Sequence, residues 1–334
     1  MRNYLRGKTF VSSITLILFL CCAVGFDKFH SEKLKITDNQ LFTIKKGQSA
    51  SDIAQKLEEN GWITGHQLMA LYIRALGYSS RLQAGTYFVR PEDTRMSLIE
   101  RIVKGHVATF SITFIEGSST SDFLKVLGSA PHLIHTLSGS SDVQLMKELG
   151  LPAKHPEGLF FPSTYSYKAG TTDKSIMRRA YANMERLLQS SWSGAVVTKL
   201  PYKTPYEALI MASIIEKETG LETERNMIAG VFVRRLRSKM RLQSDPTVIY
   251  GLGKSFTGNI TRANLRRDTP YNTYTRPGLP PTPISSVGEA SFKAALNPLP
   301  GKELYFVSKG DGSHYFSKSF EEHKKAVRSY QLGL

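Results

Sequence analysis

The N-terminal third of the chain repeats one short pattern of apolar and polar positions. Its clearest copies read FTIKKGQSASDIAQKLEENG, TYFVRPEDTRMSLIERIVKG and ITFIEGSSTSDFLKVLGSAP. In each copy, alternating apolar residues predict a strand, and a Ser or Thr cap before apolar residues at helical spacing predicts a helix. Another helix is predicted over residues 66–76, with Leu68, Leu71, Tyr72 and Ala75 facing inward.

The rest of the chain is predicted to be mainly helical, with a hairpin near its end. Helical periodicity is weak over residues 133–154, which indicates a hinge, and strong over 172–190 and 223–239. The segment that follows is rich in Pro, Gly, Asn and Tyr and is predicted to form loops. Two short apolar runs around Gly310-Asp311-Gly312 predict a hairpin, and Ser319 with Glu322 forms a capping box for a last helix.

Residues 204–220, TPYEALIMASIIEKETG, predict a buried helix with its own start and stop signals. Thr204 and Glu207 fit a capping box, Pro205 fits the first helical position, and Gly220 fits a left-handed terminator. Between these signals the helix has almost no polar side, so burial is expected.

Two carboxylates, Glu216 and Glu218, lie in the last turn of this helix. At about 100° per residue, Glu218 lies within roughly 60° of several apolar residues, whereas Glu216 is on the other side. Burial and the negative end of the helix dipole both raise a carboxyl pKa. Glu218 is therefore a candidate general acid. The alternative is that either Glu pairs with Lys217, Arg225 or another base.

The predicted loops after residue 239 carry side chains suited to binding a carbohydrate. Gln243, Asp245, Asn272 and Tyr274 offer amide, carboxylate and aromatic groups, which match sugar hydroxyls and apolar sugar faces. Taken singly, each is more often a turn residue than a ligand contact. Their concentration after the acid-bearing helix favours binding.

Composition is that of a folded protein, with 41% hydrophobic and 22% charged residues. The net charge of +16 is compatible with nucleic acid, anionic lipid or another acidic polymer as a partner. A basic run over residues 234–241 fits a solvated helix end or contact with such a polymer. Cys21 and Cys22 are adjacent, and His132 and His135 lack nearby Cys or acidic partners. No metal and no cofactor is expected.

The apolar run FVSSITLILFLCCAVGF, residues 10–26, predicts a transmembrane anchor. Arg2, Arg6 and Lys8 precede it, which predicts a cytoplasmic N-terminus and a single-pass protein with everything after the run outside the cytoplasm. A cleaved signal peptide is the alternative, although no A-x-A-like site follows. This placement argues against nucleic acid as a partner.

Four motifs, EGLFFPSTYSY, MASIIEKETG, RLQSDPTVIYG and YNTYTRPGLPP, resemble the YceG-like family of endolytic peptidoglycan transglycosylases. The first two strand–helix copies together resemble LysM, a glycan-binding module of cell-wall proteins, with a structural spacer as the alternative. The expected fold class is α+β, with an N-terminal transmembrane helix, a small LysM-like module and a larger YceG-like catalytic domain. The expected boundaries are a cytoplasmic tail over 1–9, the anchor over 10–26, a linker over 27–41, the module over 42–107, a connecting α+β segment over 108–154 and the catalytic domain over 155–334.

The resemblance implies a lyase that cuts MurNAc–GlcNAc linkages in nascent glycan strands and leaves 1,6-anhydro-MurNAc ends. It matches the family's essential acid to Glu218, the second Glu of the EKET motif, and implies action beside peptidoglycan synthases at the cytoplasmic membrane. One alternative is a muramidase with Asp245 or Glu216 as the second carboxylate. The other is a glycan-binding scaffold without catalysis.

Overall fold

The computed structural model describes residues 25, 27–137, 141–152, 155–195, 198 and 200–332. The chain divides into two compact units, Met1–Phe110 and Ser111–Leu334. The predicted anchor, residues 10–26, lies outside the described residues except for residue 25. Among the residues that the structure describes, none of the helices is both long and apolar enough to cross a membrane.

The first unit is built on a pair of antiparallel strands with helices packed against it. Its elements are β1 (Gln40–Ile44), α1 (Ala50–Glu59), α2 (His66–Ala75), β2 (Gly85–Val89) and α3 (Arg95–Val103). Gln40 pairs with Val89 and Ile44 with Gly85, so the two strands run side by side over their full length. Ser49 caps α1 and Thr94 caps α3, which confirms two of the predicted helix starts.

Helix α2 buries a different face from the one predicted. Met69, Tyr72 and Ile73 point into the core, at the i, i+3, i+4 spacing of one helix face. Leu68 and Leu71 are 61% and 60% exposed, so their predicted inward position is wrong. Because α2 is apolar almost all round, its periodicity is compatible with two faces, and packing against α1 selects one of them.

The second unit is mostly helical with two small sheets. Its first elements are β3 (Thr109–Thr113), in which the boundary between the units falls, α4 (Thr120–Gly128), α5 (Asp142–Leu149), β4 (Thr164–Lys168), α6 (Asp173–Ser193) and α7 (Pro205–Glu218). The later elements are α8 (Arg225–Arg237), α9 (Asp245–Leu252), α10 (Arg262–Arg266), α11 (Glu289–Leu296), β5 (Tyr305–Ser308), β6 (His314–Ser317) and α12 (Phe320–Val327). Strand β3 pairs with β4, and β5 pairs with β6 in the predicted hairpin. The mixed α+β fold class is therefore confirmed.

The segment predicted to be a hinge, residues 133–154, contains helix α5. Ser141 caps this helix, and Leu145, Met146 and Leu149 are buried. The helix packs against α6, so its stability depends on tertiary contacts that a short weak pattern does not reveal. The segment thus contains a helix that the weak pattern did not predict.

Helix α7 is the centre of the second unit and packs against α6, α8, α9 and α11. Residues 208–215 are all buried, as the sequence predicts. The Thr204 side chain accepts from the Glu207 backbone N–H, which confirms Thr204 as the cap. The other half of the predicted capping box does not form, because the Glu207 carboxylate accepts from the Lys203 backbone N–H instead. The predicted stop is wrong, because Gly220 is not left-handed; instead Thr219 leaves the helix in an extended conformation directly after Glu218.

Replacing Ile73 by Ala is expected to destabilise the first unit by roughly 2–5 kcal/mol, because a fully buried side chain leaves a cavity. Leu71→Ala on the exposed face is the matched control and is expected to change stability by less than about 0.5 kcal/mol. Urea unfolding measures the loss of stability in both variants, followed by the fluorescence of Trp62, which packs on this core. The variants are made in a Trp192→Phe background, so that Trp62 is the one remaining tryptophan. Equal losses for the two variants would contradict the assignment of the buried face.

Candidate active site

Glu218, the last residue of α7, places its carboxyl group at the wall of a cavity in the second unit. The side chain is half-buried, and the hydroxyl of Ser244 donates to Oε1 over 2.5 Å. Burial raises the pKa of Glu218 to about 7, and the nearby charge of Asp245 acts in the same direction. The Ser244 hydrogen bond and the charge of Arg235 oppose this rise because they stabilise the ionised form.

Ser244 is held rigidly in position beside the acid. It is buried, its backbone N–H donates to Thr273 Oγ1 over 3.0 Å, and its carbonyl accepts from Thr247 Oγ1 over 2.7 Å. The sequence analysis named its neighbours Gln243 and Asp245 but missed Ser244. The sequence did offer a signal for Ser244, because its hydroxyl lies between the two candidate ligands Gln243 and Asp245 in the QSDP motif.

Arg235 lies in the interior, whereas the sequence analysis placed the whole basic run at a solvated helix end or on a polymer. Its Nε donates to the Leu304 carbonyl over 2.6 Å, and Nη1 donates to the Leu242 carbonyl over 2.8 Å. The guanidinium also lies 5.0 Å from the centre of the Tyr305 ring. Arg235 therefore contributes a fixed positive charge to the cavity wall that includes Glu218.

Asp245, Tyr274 and Gln243 line the same cavity as Glu218, so the structure brings four of the five predicted residues together. The Tyr274 hydroxyl donates to Asp245 Oδ1 over 2.6 Å. Asp245 begins helix α9, which corrects the prediction that this segment is a loop. Gln243 is exposed and has a left-handed backbone with φ of 51°.

Asn272, the fifth predicted residue, does not line this cavity. It is fully buried, and its Nδ2 donates to the carbonyls of Leu265 and Arg267 over 3.0 and 2.7 Å. Its Oδ1 accepts from the Tyr274 backbone N–H over 2.8 Å. Asn272 thus fixes the loop that carries Tyr274.

Two further carboxyl groups near these motifs have structural partners. Glu216 Oε2 accepts from the Gly288 backbone N–H over 2.9 Å, rather than from the predicted basic partners, and lies outside the cavity lining. Glu157 is buried, accepts from the Thr120 backbone N–H over 2.9 Å and from the Tyr250 hydroxyl over 3.2 Å, and has its pKa raised to about 7 by burial. The sequence analysis missed Glu157, although an acid next to the apolar GLFF run was a usable signal.

The cavity has a volume of about 460 Å³, within the usual range for ligand sites. Its wall combines polar side chains with aromatic side chains from β5, β6 and α12. The polar ones are Glu218, Arg235, Gln243, Asp245 and Tyr274. Within the described ranges, no three His, Cys, Asp or Glu side chains are grouped so as to hold a metal ion. A half-buried acid whose pKa is raised to about 7, in a polar and aromatic cavity, has the chemistry that a general acid for cleavage of glycosidic bonds requires.

Comparison with known proteins gives the family. The model of the YceG-like family matches residues 42–329, and the chain belongs to this family. It is 32% identical to the endolytic murein transglycosylase of Bacillus subtilis over 304 residues, covering 86% of this chain and 83% of that protein.

More distant relatives agree with this assignment. The endolytic murein transglycosylase of Streptococcus pneumoniae D39 is 27% identical over 371 aligned positions, which cover 97% of this chain but only 65% of that longer protein. The crystal structure of a yceG-like protein from Listeria monocytogenes aligns with a TM-score of 0.52 at 29% identity, covering 87% of this chain and all of that one.

The raised pKa of Glu218 predicts a pH-dependent effect on stability. From its ordinary value of 4.5 up to about 7, the folded protein holds a proton at Glu218 that the unfolded chain releases, so stability falls as the pH rises through this window. Glu218→Gln removes this loss and is expected to be more stable than the parent by on the order of 1–3 kcal/mol at pH 8 and equal to it at pH 4. Urea unfolding at both pH values measures the difference. A difference that is the same at both would contradict the raised pKa.

Proposed function

We propose that this protein is an endolytic murein transglycosylase in which Glu218 is the catalytic acid and base. The single observation that carries the proposal is the half-buried Glu218 carboxyl, with its pKa raised to about 7, at the wall of an open cavity. The names of the Bacillus and Streptococcus relatives support the reaction class.

In the proposed reaction, protonated Glu218 donates its proton to the glycosidic oxygen as the bond from the MurNAc anomeric carbon breaks. The 6-hydroxyl of the same MurNAc residue attacks that carbon and forms the 1,6-anhydro ring, and its proton passes to the Glu218 carboxylate. Glu218 thus returns to its protonated form, and no water is consumed. The Ser244 hydroxyl, 2.5 Å away, stabilises the carboxylate that exists between the two proton transfers.

A second candidate function is hydrolysis of the same linkage, because Asp245 lines the cavity together with Glu218. A hydrolase needs a second carboxylate to activate water or to act as nucleophile. Asp245 is the better candidate for that role, since Glu216 is bonded to the Gly288 backbone and lies outside the cavity. In the transglycosylase, Asp245 and Tyr274 instead bind the glycan.

Glu218→Gln is expected to lower the rate of glycan cleavage by roughly 10²–10⁴-fold, because it removes general acid catalysis. Glu222→Gln, an exposed acid shortly after α7, is the matched control and should cleave like the parent. Mass spectrometry of purified glycan strands digested by each variant measures both rate and product. We expect anhydro ends and internal cuts from the parent.

Three results would contradict parts of this proposal. Reducing ends instead of anhydro ends would favour the hydrolase, and their loss in Asp245→Asn would assign the second carboxylate. Equal cleavage by the parent and Glu218→Gln would remove Glu218 from the reaction. Uncut strands with the parent would favour a glycan-binding scaffold.

We also propose that residues 10–26 anchor the protein in the cytoplasmic membrane and that residues 42–107 form a LysM-like glycan-binding module. The uncharged run after a basic flank supports the anchor, and the repeated strand–helix pattern supports the module. The family resemblance further supports action beside peptidoglycan synthases, outside the cytoplasm. A variant without residues 1–26 should leave the membrane fraction; if it stays there, the anchor is wrong. Failure of that variant to sediment with insoluble peptidoglycan would argue against the module.

A further inference from the structure

Most of the cavity wall comes from a part of the chain to which the sequence analysis gave no functional role. Hairpin strands β5 and β6, helix α12 and the turn after it supply aromatic, His and Gln side chains as far as Gln331. We call the side chains of this part that line the cavity, between Tyr305 and Gln331, the C-terminal wall. The acid and the C-terminal wall therefore belong to one cavity.

The C-terminal wall is fixed relative to Glu218 by charge-assisted hydrogen bonds at the turn end of the hairpin, where His314 pairs with Ser308. Glu224, six residues after the acid, accepts from the His314 backbone N–H over 2.9 Å and contacts His314 Nδ1 over 2.7 Å. Both side chains are largely buried, so this contact is screened little by solvent. Arg235 adds a second link through the Leu304 carbonyl. The wall is thus held in place before any ligand arrives.

Phe320 is the unusual side chain of this wall. It begins α12, lines the cavity and is 56% exposed, although large aromatic side chains are normally buried. Its ring lies at 47° to the Tyr305 ring with centroids 5.9 Å apart. The Lys324 Nζ atom lies 5.1 Å from the centre of the Phe320 ring, and Phe320 remains exposed even with that contact.

We propose that Phe320, backed by Tyr305, is a stacking platform for one pyranose ring of the glycan bound beside Glu218. This inference rests on the proposed function for its ligand. The apolar C–H face of a sugar packs on an aromatic ring while its hydroxyls remain free for polar groups. The cavity supplies those groups in Gln243, Asp245 and Tyr274. An exposed apolar ring continuous with a polar cavity matches such an amphipathic ligand better than it matches a flat protein surface.

The platform is tested in a Glu218→Gln background, where glycan binds without being cut. Phe320→Ala is expected to weaken binding of peptide-free glycan strands about 10-fold, and Phe320→Trp should restore it, because a larger ring still stacks. Tyr330→Ala is the matched control: this aromatic residue is 41% exposed on the same C-terminal segment but does not line the cavity. Isothermal titration calorimetry measures glycan binding by Glu218→Gln and by the three double variants made from it. With Glu218 intact, Phe320→Ala should raise KM and leave kcat nearly unchanged.

The outcomes separate this inference from the proposed function. If the parent produces anhydro ends but Phe320→Ala binds glycan like the control, the platform is overturned and the transglycosylase stands. If Phe320→Ala loses binding while the parent leaves strands uncut, the platform stands and the proposed reaction fails. Equal losses in Phe320→Ala and Tyr330→Ala, or no rescue by Trp, would also overturn the platform. Circular dichroism checks that each variant is folded.

Discussion

Arg235 carries a positive charge into the interior of the second unit, and three parts of the chain are arranged around it. A buried guanidinium is costly unless its donors are satisfied. Here the satisfying groups are backbone carbonyls at Leu304, Leu242 and, over 3.3 Å, Arg241. These contacts join α8 to the segment before Ser244 and to the hairpin. A neutral or shorter side chain at this position would remove one of the links between the two sides of the cavity.

The proton affinity of Glu218 results from opposing effects, of which burial is the largest. Burial and the Asp245 charge favour the neutral acid, whereas Ser244 and Arg235 favour the carboxylate. A group that must first give and then take a proton works best when its pKa lies near the working pH. Removal of any one of these neighbours would shift that balance. Glu157 has a similarly raised pKa, but its bonds to Thr120 and Tyr250 give it a place in packing rather than in the cavity.

Local signals predicted the elements well, and long-range contacts explain what they missed. Caps and apolar spacing identified α7 and the position of Glu218, because both are encoded within seventeen residues. Ser244, Arg235 and Phe320 gain their roles only when segments far apart in sequence meet, and no periodicity records that meeting. The same reason accounts for the wrong face of α2, where two apolar faces compete, and for the missed helices α5, α9, α10 and α11. Asn272 has the right chemistry for a ligand contact, but only packing shows that its amide is already satisfied.

The C-terminal wall also affects when a newly made chain has a complete site. Phe320 and Gln331 follow Glu218 by about 100 residues. At roughly 5–20 residues per second, the ribosome adds them on the order of 5–20 s after the acid. During that interval α7 and its neighbours can pack, but the side of the cavity formed by the hairpin and α12 does not yet exist. A nascent chain therefore carries its acid well before the residues that complete the other side of the same cavity have been made.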